Sequence, residues 1–503
     1  MTISTSNAQP AATPRAEALA AAEAPAPPAP AGAPRPAAAE VPRTVWSRFI
    51  ILLLCLAVVM TTLAFGTVHA WALALFQLSA AAVVALWMMD AWRTGALRVS
   101  RNPLQLPLAG LIAVGLVQLL PLGAGAGLPA GSEPLLTLDP HATRYALVQL
   151  ASLTVFFAAA LAFLDSPRRL RVVVRTVIIF GFLLALYGLM QHFVNPAAIY
   201  FVREPKQAAP FGPYINRHHF AGYMELTLAL PLGLIFAGAV ARERVPLYAF
   251  ASGIMGVALV MTNSRGGMLS MMAEVFFLVL VAGAVRRRAR GEEPAEGEAR
   301  GGRVRALAAR LGVAFALVLA IFVGVLYFGG EDAVSRLFGT VNAEDPTTGR
   351  AHFWRGTWQM IKDRPVLGAG LGAFAAAYTA YDTSSGSYRL EQAHNDYLQI
   401  LSDAGVVGGL LGLVFVAALF RMAVARMQSH DRFRRGVALG ALAGCAGVLV
   451  HSFFDFTLHT TANALLFLVL AALATVNGRV EEAETTRRRR RRAGDHERGR
   501  IAA

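Results

Sequence analysis

Long apolar runs alternate with short polar connections over most of the chain. They lie near 48–66, 71–90, 104–122, 145–164, 173–191, 219–240, 246–263, 266–285, 310–329, 396–420, 435–453 and 460–476. Each approaches the roughly 20 residues that an α-helix needs to cross a bilayer. The pattern predicts an all-α polytopic membrane protein with about twelve transmembrane helices, embedded in a lipid bilayer. A long outward-facing segment, 330–394, is expected before the tenth span. Residues 1–43 are rich in Ala and Pro and poor in bulky apolar side chains, so a disordered tail is expected there. The membrane domain is expected over 44–476, followed by a basic tail over 477–503. The first apolar run begins near residue 48, so no cleavable signal peptide is expected.

Composition supports the membrane reading. Hydrophobic residues make up 56% of the 503 and charged residues only 15%, where a soluble domain carries about 25% charged. The net charge of +15 is concentrated in connections and tails. Arg93, Arg98 and Arg101 form one group, and Arg168, Arg169, Arg171 and Arg175 another. Arg242 and Arg244, then Arg286, Arg287, Arg288 and Arg290, then Arg421, Arg426, Arg432, Arg434 and Arg435 follow. With an even number of spans and both termini cytoplasmic, all fall on the cytoplasmic side. The arginine run 487–492 reads as an anchor on anionic lipid. No aromatic residues interleave it, so no nucleic-acid partner is expected. Cys55 and Cys445 both lie in apolar runs, with no disulfide framework or metal-ligand spacing.

Polar residues collect on the opposite, outward side, in segments 123–143, 192–218 and 330–394. Loops of this length are usually functional or disordered. In the last, RAHFWRGTWQMIKDRP predicts an amphipathic helix with Trp354, Trp358 and Ile361 on one face and Pro365 beyond its end. It would lie on the membrane surface, cover a polar cavity, or do both. Arg203, Lys206, Arg217, Arg265 and Arg350 are placed outward, against the usual charge bias. Arg265 sits in the turn TNSRGGML, where Gly266 and Gly267 are expected to let the backbone bend. It reads either as a snorkelling interfacial arginine or as a fixed anion site, for which a planar, permanently charged fork is suited.

His394 opens AHNDYLQILSDAGVVGG at the mouth of the next span. On a continuous helix His394, Leu398, Leu401, Gly405 and Gly408 would share a stripe, with Gly405 and Gly409 allowing close helix packing. His394 reads as a polar cap or as a general base near neutral pH. Asn395 would orient a sugar hydroxyl or the imidazole, Tyr397 offers an apolar face and a hydroxyl, and Asp396 faces away and reads as structural. A second cluster, His451, Asp455, His459 and Asn463, recurs at four-residue steps. It fits polar contacts between helices or a substrate-facing ridge better than a metal site. Gly368, Gly370 and Gly372 are not preceded by a strand, and no phosphate-binding G-x-x-x-x-G-K-[ST] sequence occurs, so nucleotide-driven transport is not expected.

These residues resemble a known family. His394-Asn395, nine residues, Gly405, two residues, Gly408 is similar to the H-[NSQ]-x9-G-x-x-[GTY] pattern of bacterial O-antigen ligases and related polysaccharide polymerases. Arg265 to Leu269 resembles that family's R-x3-L element, and Arg350 stands where a further arginine opens the large periplasmic loop. FGPYINRHHFAGY, 211–223, resembles the family's N-x-N segment, with His218 at the second Asn position. The resemblance implies metal-independent, cofactor-free glycan transfer at the periplasmic face of the bacterial inner membrane. The donor would be a glycan on undecaprenyl pyrophosphate, and the acceptor a glycolipid or glycan hydroxyl such as lipid A-core. His394, Arg265 and Arg350 would be catalytic. Arg217, Asn395, Tyr397 and Arg203 would bind substrate. Ligase and polymerase remain open. A transporter or flippase for lipid-linked sugars would need ionisable groups deep in the spans, and the mid-span segments read as nearly free of charge.

Overall fold

The computed structural model describes residues 44–122, 135–206, 208–289, 350–383 and 389–476, apart from the side chains of 282–289. The expected ninth span, the terminal tails and the first part of the 330–394 segment lie outside the described residues.

Helices occupy the other eleven apolar segments, and a twelfth lies in the outward loop. They are α1 (Val45–Leu63), α2 (Ala70–Thr94), α3 (Gln105–Gln118), α4 (Pro140–Phe163), α5 (Pro167–Val194) and α6 (Arg217–Phe236). After these come α7 (Val245–Met261), α8 (Arg265–Ala289), the loop helix α9 (Arg350–Asp363), α10 (Asp396–Arg426), α11 (Arg432–His451) and α12 (Thr461–Thr475). Among the described residues, eight helices are long and apolar enough to cross a membrane, while α3 and α12 are apolar but shorter. Two isolated bridges, Ile199–Arg203 and Phe211–Tyr214, are the described β-type pairings.

Local sequence sets the helix starts. Ser166 and Asp139 accept from Arg169 N and Ala142 N, and Pro167 and Pro140 follow them as first helical residues. A side-chain acceptor and a preset φ at that position are the standard start of a helix.

The core is built around α6 and α11. α6 is 83% buried and α11 78%, whereas α10 is only 22% buried and faces outward with Leu410, Leu413 and Val414. Glycines allow the central crossing. A side chain at Gly233 would meet Gly440 N at 2.3 Å, and one at Gly440 would meet Ala229 O at 2.6 Å. Small residues at this spacing bring two backbones together inside a bilayer. α8 packs on the same pair.

The two ends of the bundle differ. At one end, basic residues tie helix termini together. Arg98 bridges Asp90 at 3.0 Å and Asp165 at 3.1 Å, and Arg169 reaches Phe163 O at 3.2 Å. The buried Arg434 donates to Leu473 O at 2.6 Å and Val476 O at 2.7 Å, closing the orphan carbonyls of α12. These arginines therefore serve helix packing as well as charge bias. The N-termini of α6, α8 and α10 and the C-terminus of α11 meet at the other end.

Candidate active site

Three helix N-termini converge there. Arg217, Arg265 and Arg350 are the first residues of α6, α8 and α9. All three line one cleft of about 280 Å³, together with His218, Ser264, His451 and Asp455. Each helix N-terminus adds partial positive charge and backbone donors to that of its arginine, which makes the cleft suited to an anion. Asn216 caps α6 by accepting from His218 N at 2.9 Å. Ser264 caps α8 by accepting from Gly267 N at 3.2 Å.

The turn before Arg265 is built differently from expectation. Asn263 supplies the positive φ of 53°. Gly266 and Gly267 lie inside α8 and are small for packing reasons. A side chain at Gly266 would meet His451 at 2.8 Å, and one at Gly267 would meet Ala221 at 2.9 Å.

Asp455 is the hub of the cleft, and it is 1% exposed. Its Oδ1 lies 3.4 Å from His394 Nδ1 and accepts from Phe456 N at 2.9 Å. Its Oδ2 lies 3.7 Å from Arg350 Nη2 and 3.9 Å from His218 Nδ1. Burial alone would raise the pKa of this carboxyl. The His394 hydrogen bond and the neighbouring histidines outweigh it and hold Asp455 below the usual carboxylate range. His218 Nδ1 also pairs with Ser264 Oγ at 2.8 Å, linking α6 to the cap of α8.

His394 does not sit on α10. It takes a left-handed φ of 50°, and the helix begins at Asp396. Its ring is gripped by Phe456, edge-on at 4.8 Å, and stacks on Phe353 at 6.3 Å. A left-handed histidine held by three partners is the kind of local strain that marks functional sites.

The expected stripe from His394 to Gly408 is broken a second time at Gly405, where φ is 62° and ψ −163°. The break admits the segment after α9. Val406 N donates to Pro365 O at 2.8 Å, and Ala369 N donates to Ser402 O at 2.8 Å. A side chain at Gly405 would meet the Val366 carbonyl at 2.3 Å, so the glycine serves this insertion and not the packing of two helices. Gly368, Gly370 and Gly372, all with positive φ, form the inserted loop.

The remaining candidates part ways. Asn395 caps α10, accepting from Tyr397 N and Leu398 N at 3.0 Å, and donates to Phe453 O at 3.1 Å. Tyr397 spends its hydroxyl on Leu449 O at 2.6 Å. These bonds occupy the polar atoms of both residues, so their places are positional. Arg203 does not line the cleft. Its Nη1 lies 2.7 Å from His69 Nε2, and its guanidinium lies 4.9 Å from the centre of the Phe65 ring.

α9 also turns a different face inward. Thr357, Met360 and Ile361 are buried, whereas Trp358 is 51% exposed and Trp354 donates to Ala393 O at 3.1 Å. Asp396 accepts from Ser452 Oγ and pairs with His459 Nδ1, both at 2.8 Å, as a structural residue would.

The four-step cluster of the last connection is not one ridge, because α11 ends at His451. His451 turns to Glu225, Asp455 to the cleft, His459 to Asp396, and Asn463 to Tyr214 and His219. Among the described residues, no three His, Cys, Asp or Glu side chains are grouped to hold a metal. The mid-span segments are also less neutral than expected, since Glu225 in α6 and Glu274 in α8 are both fully buried. Sequence reasoning missed Asp455 and His218 as parts of the arginine cleft. The available signals were the place of His218 in the segment 211–223 and that of Asp455 in the four-step cluster.

Residues 250–413 match the family model for O-antigen ligase. Over these residues the chain is similar to O-antigen ligases. No curated protein matches it. The O-antigen ligase match runs from α7 into α10 and includes Arg265, Arg350, His394, Gly405 and Gly408. Arg217, His218, His451 and Asp455 reach the same cleft from outside the matched stretch. With several helices long and apolar enough to span a bilayer, the protein is a multi-pass bacterial membrane protein and a glycosyltransferase-like enzyme, of the O-antigen ligase or polymerase type.

Proposed function

We propose that the arginine cleft is the site at which a glycan leaves undecaprenyl pyrophosphate for an acceptor hydroxyl at the periplasmic face. The observation that carries the reading is the convergence of Arg217, Arg265 and Arg350 beside an Asp455 that touches His394.

In this reading the three arginines hold the pyrophosphate. Its negative charge grows as the bond from the anomeric carbon to the phosphate oxygen breaks. Fixed cations in a site of low dielectric act most strongly on charge that develops in the transition state. His394 takes the proton of the acceptor hydroxyl as that oxygen attacks the anomeric carbon, with inversion. Asp455 orients the imidazole through Nδ1, leaving Nε2 as the base, and its other oxygen steadies Arg350. Neither Asn395 nor Tyr397 contacts substrate in this scheme; they fix the start of α10.

The arrangement calls for no metal in this step, so transfer is expected to persist in EDTA. Lipid A-core is the proposed acceptor, with the protein acting as a ligase. Extension of one lipid-linked repeat by another uses the same clamp and base. A lipid-linked sugar transporter is favoured by one feature, the carboxyls inside α6 and α8, but the arginines gather at one end of the helices and not at mid-membrane, where such carriers bind.

The test is transfer from a polyprenyl pyrophosphate-linked glycan to lipid A-core by the purified protein in liposomes. Glycan on the core with polyprenyl pyrophosphate released supports the ligase. A ladder of longer lipid-linked glycan supports the polymerase. Wild-type rates from His394→Ala would overturn the assignment of the base.

A further inference from the structure

A set of polar side chains lies beneath the cleft and is not used in the mechanism above. His451, the last residue of α11, lines the cleft and is fully buried. Its Nδ1 lies 2.8 Å from Glu225 Oε1, while its Nε2 is buried with no hydrogen-bond partner. That free edge faces Gly266, another lining residue, where a side chain would approach Nε2 to 3.0 Å. The second oxygen of Glu225 lies 2.8 Å from Ser270 Oγ, which also bonds Gly447 O. Glu274, next in line on α8, is fully buried with both carboxyl oxygens unpartnered.

We propose that His451 is a second catalytic residue, the proton donor to the departing pyrophosphate, and that Glu225 is its positioning residue. The inference rests on the reading of the cleft given above. Proton accounting defines two states of the pair. Ser270 has one hydroxyl proton and two acceptors in reach, Gly447 O and Glu225 Oε2. One additional proton is shared between Glu225 and His451: carried on Glu225 Oε2 it lets every bond of the set form, and carried on His451 it leaves Ser270 to donate to one of its two acceptors. On Glu225 it leaves a neutral imidazole. On His451 it leaves a carboxylate–imidazolium pair whose Nε2–H is unspent.

Two surroundings favour the second arrangement when an anion enters. The carbonyl end of α11 carries partial negative charge beside His451, and the pyrophosphate would supply more. The charged and titratable groups around the ring are Glu225 and His218 from α6, Arg265 from α8, Arg350 from α9, Asp396 at the start of α10, and Asp455.

The step balances. The bond between the anomeric carbon and the phosphate oxygen breaks, and its electron pair stays on oxygen. His451 Nε2 gives that oxygen a proton, and the acceptor hydroxyl gives its proton to His394 as the new glycosidic bond forms. Water at the cleft returns a proton to His451 and removes one from His394. The arginines neutralise the charge of the pyrophosphate, and His451 supplies the proton that an arginine cannot release.

The test is the pH profile of kcat for transfer in liposomes, using wild type, His451→Gln, Glu225→Gln and His394→Ala. Monodisperse elution and retained binding of undecaprenyl pyrophosphate serve as the folding check. Wild type is expected to lose kcat on the alkaline side as the donor deprotonates. His451→Gln should lower kcat by about a hundredfold, with little change in KM, and remove that alkaline limb. Glu225→Gln, which removes the anion that holds the imidazolium, should move the limb toward acid by roughly one pH unit or more. A His451→Gln protein that binds the polyprenyl pyrophosphate yet keeps wild-type kcat and the alkaline limb overturns the inference alone. A wild type that transfers no glycan to any offered acceptor overturns the parent reading, and this one with it.

Discussion

His394 and Asp455 are 61 positions apart in the chain, and in the proposed mechanism their contact gives the cleft its base and its orientation. Replacing His394 by Ala is expected to cost about 10²–10⁴-fold in kcat, the usual range for a general base. Asp455→Asn should cost less, and in kcat more than in KM, because it acts through the ring it orients. The Asp455 pKa is depressed in the folded protein. Its contribution to stability is therefore complete above the ordinary carboxylate value of about 4 and is lost only as pH falls through the lower folded value. The difference in melting temperature between wild type and Asp455→Asn should thus persist from pH 7 to pH 5. A difference that vanishes by pH 5 contradicts the depressed carboxyl. Arg265→Lys and Arg350→Lys keep the charge but lose the fork. Each is expected to reduce kcat by about a hundredfold, because the lost contact is strongest in the transition state.

At the scale of elements, the site depends on how α10 begins and where it breaks. Gly405 occupies a backbone region that side chains avoid, and its neighbour is the Val366 carbonyl. Gly405→Ala should destabilise the protein by at least about 2 kcal/mol, and activity should fall as the inserted loop is expelled. Wild-type melting and transfer would show that the break is dispensable.

His459 pins the start of α10 to the connection before α12. Desolvation lowers its pKa, but the Asp396 hydrogen bond and charge outweigh this, and the net shift is upward. That contribution is fully present below about pH 6.5 and is lost as pH rises through the folded value. Thermal stability of wild type should therefore fall more steeply than that of His459→Gln as pH rises above that point.

The eleven apolar segments and the positions of Arg265, Arg350 and His394 could all be read along the chain. Periodicity failed where the backbone leaves the helix, at His394, at Gly405 and after His451, because an angle of 100° per residue holds only on unbroken helix. Asp455 was read as one step of a four-residue cluster, and its contact with His394 and Arg350 was missed because those partners are distant in sequence.

At the scale of the whole molecule, antiparallel helices sort the chemistry to one end of the bundle and the staple arginines to the other. The glycines between α6 and α11 bring Glu225 and His451 together below the cleft. The charge bias predicts that the staple end is cytoplasmic and the cleft end periplasmic. A cysteine introduced at the exposed Val202 should react with a membrane-impermeant maleimide on intact cells stripped of their outer membrane, with Cys55 and Cys445 replaced by Ala. Labelling only after the inner membrane is opened would reverse the orientation.

The central claim is that three arginines and His394 act on one reacting bond. The most direct test is single-turnover transfer in liposomes with EDTA present, using polyprenyl pyrophosphate-linked glycan and lipid A-core. Wild type, His394→Ala and Arg350→Ala would be compared at saturating donor. The account predicts glycan on the core and free polyprenyl pyrophosphate from wild type, with both variants binding the donor but transferring it at least about a hundredfold more slowly. Transfer by the His394→Ala protein at the wild-type rate would contradict it.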